Sequence, residues 1–345
     1  MVKKRIIYLD VIKVMGILLV IFNHSHWYIS SDDGIFFNIF HLLFFTFCKV
    51  AVALFLMVTG ALLLDREITY KNIYFKRIFR VLIPLILTTL LSCLIYKISF
   101  IEFIKILFVN ESYYYSPYWL WYLHLLIGLY IMTPFIQKMI KNFTKKDFIV
   151  FIVIFVFVIS LINESSSIMD LLFNKSFIIN QNLLGGLFSI SVGYFVTGYY
   201  LNNLKISSKK FKFSIYLLIL SLFIGVFLLW YGIRLGFSYD DILNYSYFVV
   251  AIPSICTFII VKYLFSKTIN CSFIEKIIVF FSNSEFGVYL FHVYLIEYIQ
   301  RTNVFGIISC YNSFLSVLLL DLVVFFALTI FVYFIKKIPI IKRFL

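Results

Sequence analysis

The stretch Ile6-Ile-Tyr-Leu-Asp10-Val-Ile-Lys13-Val-Met-Gly-Ile-Leu-Leu-Val-Ile-Phe-Asn-His24-Ser-His-Trp-Tyr28 decides the fold. It exceeds the roughly 20 apolar residues that a helix needs to cross the hydrocarbon core of a bilayer. Comparable blocks recur at roughly 40–64, 78–98, 118–137, 148–164, 182–201, 213–233, 247–265, 278–299 and 313–335, making ten. Each is a continuous apolar run without alternation, which excludes a transmembrane β-barrel. Inside lipid a backbone must satisfy its own N–H and C=O groups, and a helix does so within one segment. The expected fold is therefore all-α: a polytopic membrane helical bundle of about ten transmembrane helices, read as one domain over residues 1–345.

Composition points the same way. Of 345 residues, 63% are hydrophobic and only 13% charged, with 43 Phe and 25 Tyr. Soluble domains are about half apolar and a quarter charged, so soluble, disordered and ordinary nucleic-acid-binding classes are excluded. The net charge of +14 comes from basic clusters between the apolar blocks. With the N-terminus placed in the cytoplasm, 23 Lys and Arg fall in inner segments and 5 in outer ones. This matches the positive-inside rule for an even number of spans with both termini cytoplasmic. The outer loops are acidic and aromatic, as in Asp32-Asp33, Glu111-Ser-Tyr-Tyr-Tyr115 and Asp240-Asp241. Five scattered Cys suggest neither a disulfide framework nor a metal site. The first apolar block has no cleavable-signal pattern, so it is expected to stay as a helix.

Ionisable groups within spans are costly and usually face a bundle interior or a water-filled cavity. At 100° per residue, Lys13 falls at about 300° and His24 at about 320° from Asp10, whereas His26 points away at about 160°. Lys13 lies about 12 Å and His24 about 28 Å along the helix from Arg5. One face thus carries an expected Asp10–Lys13 pair near the cytoplasm and an imidazole near the outer surface. His26, beside Trp27 and Tyr28, reads as part of an interfacial aromatic belt. In Lys76-Arg77-Ile-Phe-Arg80 the two arginines share a face at the cytoplasmic start of a span. By composition they are ordinary positive-inside residues, but two guanidiniums also offer fork geometry for phosphate. Tyr118-Trp-Leu-Trp121-Tyr-Leu-His124 could stack on a sugar ring or form an interface belt. His292 lies in the outer half of its span, like His24. Lys49 and Asp321 are further charges within spans.

These residues resemble the acyltransferase 3 family, integral-membrane O-acyltransferases of surface glycans and related acceptors. Tyr8-Leu-Asp10-Val-Ile-Lys13 followed by His24 resembles its opening. Leu54-Phe-Leu-Met-Val-Thr-Gly60 resembles its second span, and Lys76-Arg77-Ile-Phe-Arg80 its Arg-x-x-Arg motif. Trp121-Tyr-Leu with Gly128-Leu-Tyr-Ile-Met-Thr-Pro134, Gly193-Tyr-Phe-Val-Thr-Gly198 and Phe286-Gly-Val-Tyr-Leu-Phe-His292 are similar to later stretches. Two positions depart: Lys13 stands where the family usually has arginine, and Ala53 where proline is common. The resemblance implies a single membrane acyltransferase domain in the cell (plasma) membrane. It implies transfer of an acyl group, most often acetyl, from cytoplasmic acyl-coenzyme A to a hydroxyl of an extracytoplasmic glycan or lipid-linked saccharide. It also implies His24 as the catalytic histidine, Arg77 and Arg80 as donor-binding residues, and no metal.

The residue reading and the resemblance meet in one scheme. The nucleotide phosphates of acyl-coenzyme A, a co-substrate rather than a resident cofactor, cannot cross hydrocarbon cheaply. Arg77, Arg80 and Lys76 would hold them at the cytoplasmic face, at the start of a single continuous path through the bilayer to His24, with Lys13 and Asp10 shaping this donor channel. His24 would act as general base on the acceptor hydroxyl or through an acyl-histidine. Its orienting partner must come from another helix or loop, because Asp10 is about 21 Å away along a straight helix. His292 and Trp121 are supporting residues. The competing reading is a glycan or lipid-linked sugar exporter without acyl-transfer chemistry; a third is a membrane sensor or assembly partner whose buried charges only join helices.

Overall fold

The computed structural model describes residues 5–26, 34–66, 69–108, 117–173, 189–266, 272–302 and 313–345. Every long element among them is a helix. We label them α1 (Ile7–Ser25), α2 (Gly34–Cys48), α3 (Val50–Leu63), α4 (Tyr70–Tyr96), α5 (Phe100–Phe108), α6 (Trp121–Ile140) and α7 (Lys145–Ser165). The remainder are α8 (Ile190–Asn203), α9 (Ser208–Arg234), the short α10 (Tyr239–Ile242), α11 (Phe248–Phe265), α12 (Ser272–Arg301) and α13 (Ser313–Ile335). Among the described residues nine helical segments are long and apolar enough to span a membrane, with α2 and α3 counted as one. The fold class expected from the apolar blocks is therefore observed.

The expected sixth span, 182–201, is where the count differs. Residues 182–188 lie outside the described residues, as do Trp27, Tyr28, Asp32, Asp33 and Glu111–Tyr115. The described part, α8, has 14 residues, about 21 Å of helix against a hydrocarbon core of about 30 Å. Nearly all of it is buried. Lipid is thus not its main neighbour; α3 is. A Cβ added at Gly60 would stand 1.7 Å from the Phe195 carbonyl oxygen, and one at Gly198 would stand 1.9 Å from that of Met57. The two backbones touch, a contact only glycine permits and the usual device for tight helix pairs in membranes. Gly198→Val is expected to cost at least about 3 kcal/mol by overpacking, read as a lower unfolding temperature in detergent. An unchanged temperature would show that the two helices can separate freely.

α1 runs through the centre. It packs against α3, α11, α12 and α13. Its Tyr8 hydroxyl donates to Asn202 Oδ1 at the end of α8. Lys262 Nζ closes that same end by donating to the carbonyls of Leu201, Asn202 and Leu204 at 2.7, 2.7 and 2.8 Å. A cation at a helix C-terminus meets its unpaired carbonyls and dipole, so Lys262 does structural work there.

The expected Asp10–Lys13 pair is not formed. Asp10 is held by Arg5, through Nε at 2.6 Å and Nη2 at 2.9 Å, and accepts the Ser282 hydroxyl at 2.5 Å. A two-pronged guanidinium outcompetes an ammonium for a carboxylate. Lys13 pairs instead with Glu285 of α12 at 3.6 Å. His26 also differs from expectation: it is 2% exposed and packed 4.3 Å from the Phe45 ring and 5.4 Å from that of Tyr239, inside the protein and not in a rim belt. Of the other charges, Lys49 sits in the break between α2 and α3 and pairs with Asp240 at 2.5 Å. Asp321 accepts the Ser25 hydroxyl at 2.6 Å.

Candidate active site

α1 and α12 lie parallel and meet through polar pairs along their length. Ser282, Glu285, Tyr289 and His292 occupy one arc of α12, within about 80° at 100° per residue. Ser282 meets Asp10, Glu285 meets Lys13, and the His292 ring lies 5.0 Å from that of His24. This stripe joins one end of α1 to the other. At each end it borders a cavity.

The cavity at the C-terminal end of α1 measures about 660 Å³ and includes His24 in its wall. That volume suits a small-molecule site. His24 is half-buried, and its ring lies 5.6 Å from that of Tyr118. Lys49, Asn23, Asp240, Asn244 and Tyr245 bring polar groups, and Trp119, Trp121, Tyr122 and Tyr289 bring aromatic walls. Lys49 Nζ lies 4.4 Å over the Phe45 ring while paired with Asp240, so a largely buried ammonium has two stabilising neighbours. Trp121 and Tyr245 stack with centroids 5.3 Å apart at 28°. The loop bearing Tyr245 is fixed where the Tyr194 hydroxyl donates to the Tyr245 carbonyl at 2.9 Å. Burial pushes the Tyr245 phenol up, which keeps it a neutral hydroxyl. Tyr289 donates its hydroxyl to the Trp119 carbonyl, locking α12 to the turn that precedes α6.

The cavity at the N-terminal end of α1 measures about 350 Å³ and is bordered by Arg5, Asp10, Lys13 and Arg66. Three cations and one carboxylate border it, with Arg5 paired to Asp10 and Lys13 to Glu285. Beside it, burial lowers the Lys336 ammonium, Glu285 opposes the shift and Lys13 adds to it. Arg77 and Arg80 line neither cavity. Arg77 ends a π-turn, Ile73–Arg77, in the first third of α4. It is partly buried and within electrostatic reach of Tyr130, Arg66 and Arg80; Arg80 and Lys76 are exposed.

The expected continuous path from the arginine pair to His24 is not open: the two cavities are separate, and neither reaches Arg77 or Arg80. Along α1 the gap runs from Lys13 to Val20, and along α3 from Phe55 to Ala61, about 9–11 Å of helix. Phe55 closes the outer side of this gap, its ring filling the space a Cβ on Gly16 would need. Tyr122, in the wall of the His24 cavity, and Tyr130 are both within electrostatic reach of Glu285, and Tyr130 also of Arg77 and Arg80.

The geometry brings His24 and Trp121 into the wall of one cavity, with His292 buried behind His24, and Lys13 with Asp10 around the other. It leaves Arg77, Arg80 and Lys76 out of both walls, with Arg77 within electrostatic reach of Arg66, which borders the second. Lys49, Asp240, Tyr245, Glu285 and Arg66 were not singled out for the site. Lys49 carried a signal, being a lone cation inside an apolar block; the others are ordinary loop or boundary residues until the chain folds. Among the described residues no three His, Cys, Asp or Glu are grouped to hold a metal ion.

An imidazole thus stands in an aromatic-walled cavity, with a cation-bordered cavity at the other end of the same apolar helix. The family model described as an acyltransferase domain, that of acyltransferase 3, matches residues 6–336. The chain belongs to this family: it is a multi-pass membrane acyltransferase of the O-acyltransferase-like kind, transferring groups other than aminoacyl groups. No curated protein and no solved structure matches it.

Proposed function

We propose that the protein transfers an acyl group, most simply acetyl, from cytoplasmic acyl-coenzyme A to a hydroxyl of an extracytoplasmic glycan or lipid-linked saccharide at the plasma membrane. The observation that carries this reading is the pair of cavities, unlike in lining, at opposite ends of α1. The basic cavity, with Arg77 within electrostatic reach of its Arg66, suits nucleotide phosphates. The aromatic one suits a sugar ring. The positive-inside pattern supports placing the basic end at the cytoplasm.

In this scheme the phosphates rest on Arg5, Lys13, Arg66, Arg77 and Arg80, and the pantetheine arm crosses the gap that Phe55 closes. Crossing requires Phe55 to swing from its seat against Gly16. The thioester carbon then stands beside His24. The acceptor oxygen attacks that carbon while His24 takes the hydroxyl proton. The C–S bond breaks, and the departing thiolate takes the proton from His24. Such general-base assistance contributes about 10²–10⁴-fold. An acyl-histidine route would use the same atoms in two steps. The exporter reading gives no reason for a basic cavity at one end of α1 and an imidazole at the other.

Mass spectrometry of surface glycans from cells with and without the gene tests this function. Loss of one acyl mass per acceptor unit supports it, and the mass difference identifies the donor. Acceptor flux across the membrane without any acylated product would favour the exporter. Trp121→Ala removes one face of the stacked Trp121–Tyr245 wall. It is expected to raise the acceptor KM about tenfold with kcat retained, as loss of stacking and apolar contact implies. A fall in kcat at constant KM would remove Trp121 from acceptor binding.

A further inference from the structure

We infer that His292 is the positioning residue for His24, the fixed acceptor of a histidine pair in which His24 alone contacts substrate. The inference rests on the reading that His24 takes the acceptor proton. His292 is 0% exposed, on the polar stripe of α12. Its Nδ1 stands 2.7 Å from the Tyr289 carbonyl oxygen. A carbonyl only accepts, so Nδ1 carries the hydrogen and Nε2 of the neutral ring presents a lone pair. Backbone anchoring makes this tautomer a property of the helix.

That lone pair has no hydrogen-bond partner, although the atom is fully enclosed. A buried polar atom without a partner is costly and calls for a reason. The neighbouring ring supplies one. At 5.0 Å between centroids, two imidazoles turned edge to edge bring a nitrogen of each to within about 3 Å, hydrogen-bond distance. The rings stand at 55°, and rotation of the half-buried His24 ring about its side-chain torsions closes the bond in the resting protein.

When the bond closes, one His24 nitrogen donates to His292 Nε2. The other keeps its lone pair toward the 660 Å³ cavity. His24 is thereby held in the one tautomer that can receive the hydroxyl proton, and the bond strengthens as His24 becomes the imidazolium. No proton passes to His292. The pair does for this site what a carboxylate does for a serine-hydrolase histidine, with a neutral partner that is cheaper to enclose in a membrane.

The test uses full-length protein in detergent and diethylpyrocarbonate, which carbethoxylates an imidazole nitrogen bearing a free lone pair. The rate at His24 is followed by peptide mass spectrometry. His292→Phe fills the space without an acceptor and should slow His24 modification about tenfold, the equivalent of one orienting hydrogen bond. His292→Gln supplies an amide oxygen near the position of Nε2 and should restore most of the rate. Equal rates in His292→Phe and the unsubstituted protein would overturn the inference, as would a Gln variant as slow as the Phe variant. Glycan acylation by His24→Ala is measured in parallel. Retained acylation there sinks the role of His24 while leaving the pairing result to stand on its own.

Discussion

His24→Ala is expected to reduce acyl transfer by at least about 10²-fold, to the background of the uncatalysed exchange, while the protein inserts and accumulates normally. A general base contributes about 10²–10⁴-fold, and a nucleophilic histidine more. Stability should change little. The side chain is half-buried and faces an existing cavity, so truncation enlarges a space that is already open and adds no new void to the core. The measurement is acyl mass on the acceptor glycan from cells expressing each variant at matched membrane abundance. Full acylation by His24→Ala would remove His24 from the mechanism. Loss of the protein from the membrane would mean that the ring holds helices together, as the assembly reading requires.

The second large effect concerns the donor. Arg77→Ala with Arg80→Ala is expected to weaken acyl-coenzyme A binding by about a hundredfold or more. Each charge-assisted hydrogen bond to phosphate contributes about 1.5–3 kcal/mol, and two such losses, reduced by water around the exposed Arg80, still exceed about 2.7 kcal/mol. The loss should shrink as salt is added, because screening already weakens the interaction in the unsubstituted protein. Equilibrium binding to purified protein at two ionic strengths measures both. Unchanged affinity would return the pair to a topological role and leave Arg5, Lys13 and Arg66, which border the basic cavity, as the phosphate contacts. A drop in donor affinity without a change in kcat at saturation would separate this role from that of His24.

Particular residues show how far the chain could be read before it folds. The arc carrying Asp10, Lys13 and His24 was legible, because helical phase depends only on counting. Their partners were not. Asp10 and Lys13, three residues apart, read as each other's partner, yet Arg5 and Glu285 take them. The choice depends on which neighbouring helix presents a group at that depth, and Glu285 is far away in sequence. His24 likewise gains His292 from α12 and Tyr118 from the turn before α6. His26 misled because a run of aromatic residues at the end of a span looks alike whether it meets headgroups or other helices.

Hydropathy by itself determined that this chain is a bundle of membrane helices, since every apolar block must close its own backbone hydrogen bonds in lipid. Helical phase determined which charges share a face, and a set of short motifs determined the family. Only the tertiary structure decided that α8 is a short buried helix seated on α3, that the cations and the imidazole border separate cavities, and that Phe55 stands between them. Those outcomes depend on contacts between segments tens to hundreds of residues apart, whose geometry is set by how whole helices pack and not by any local pattern.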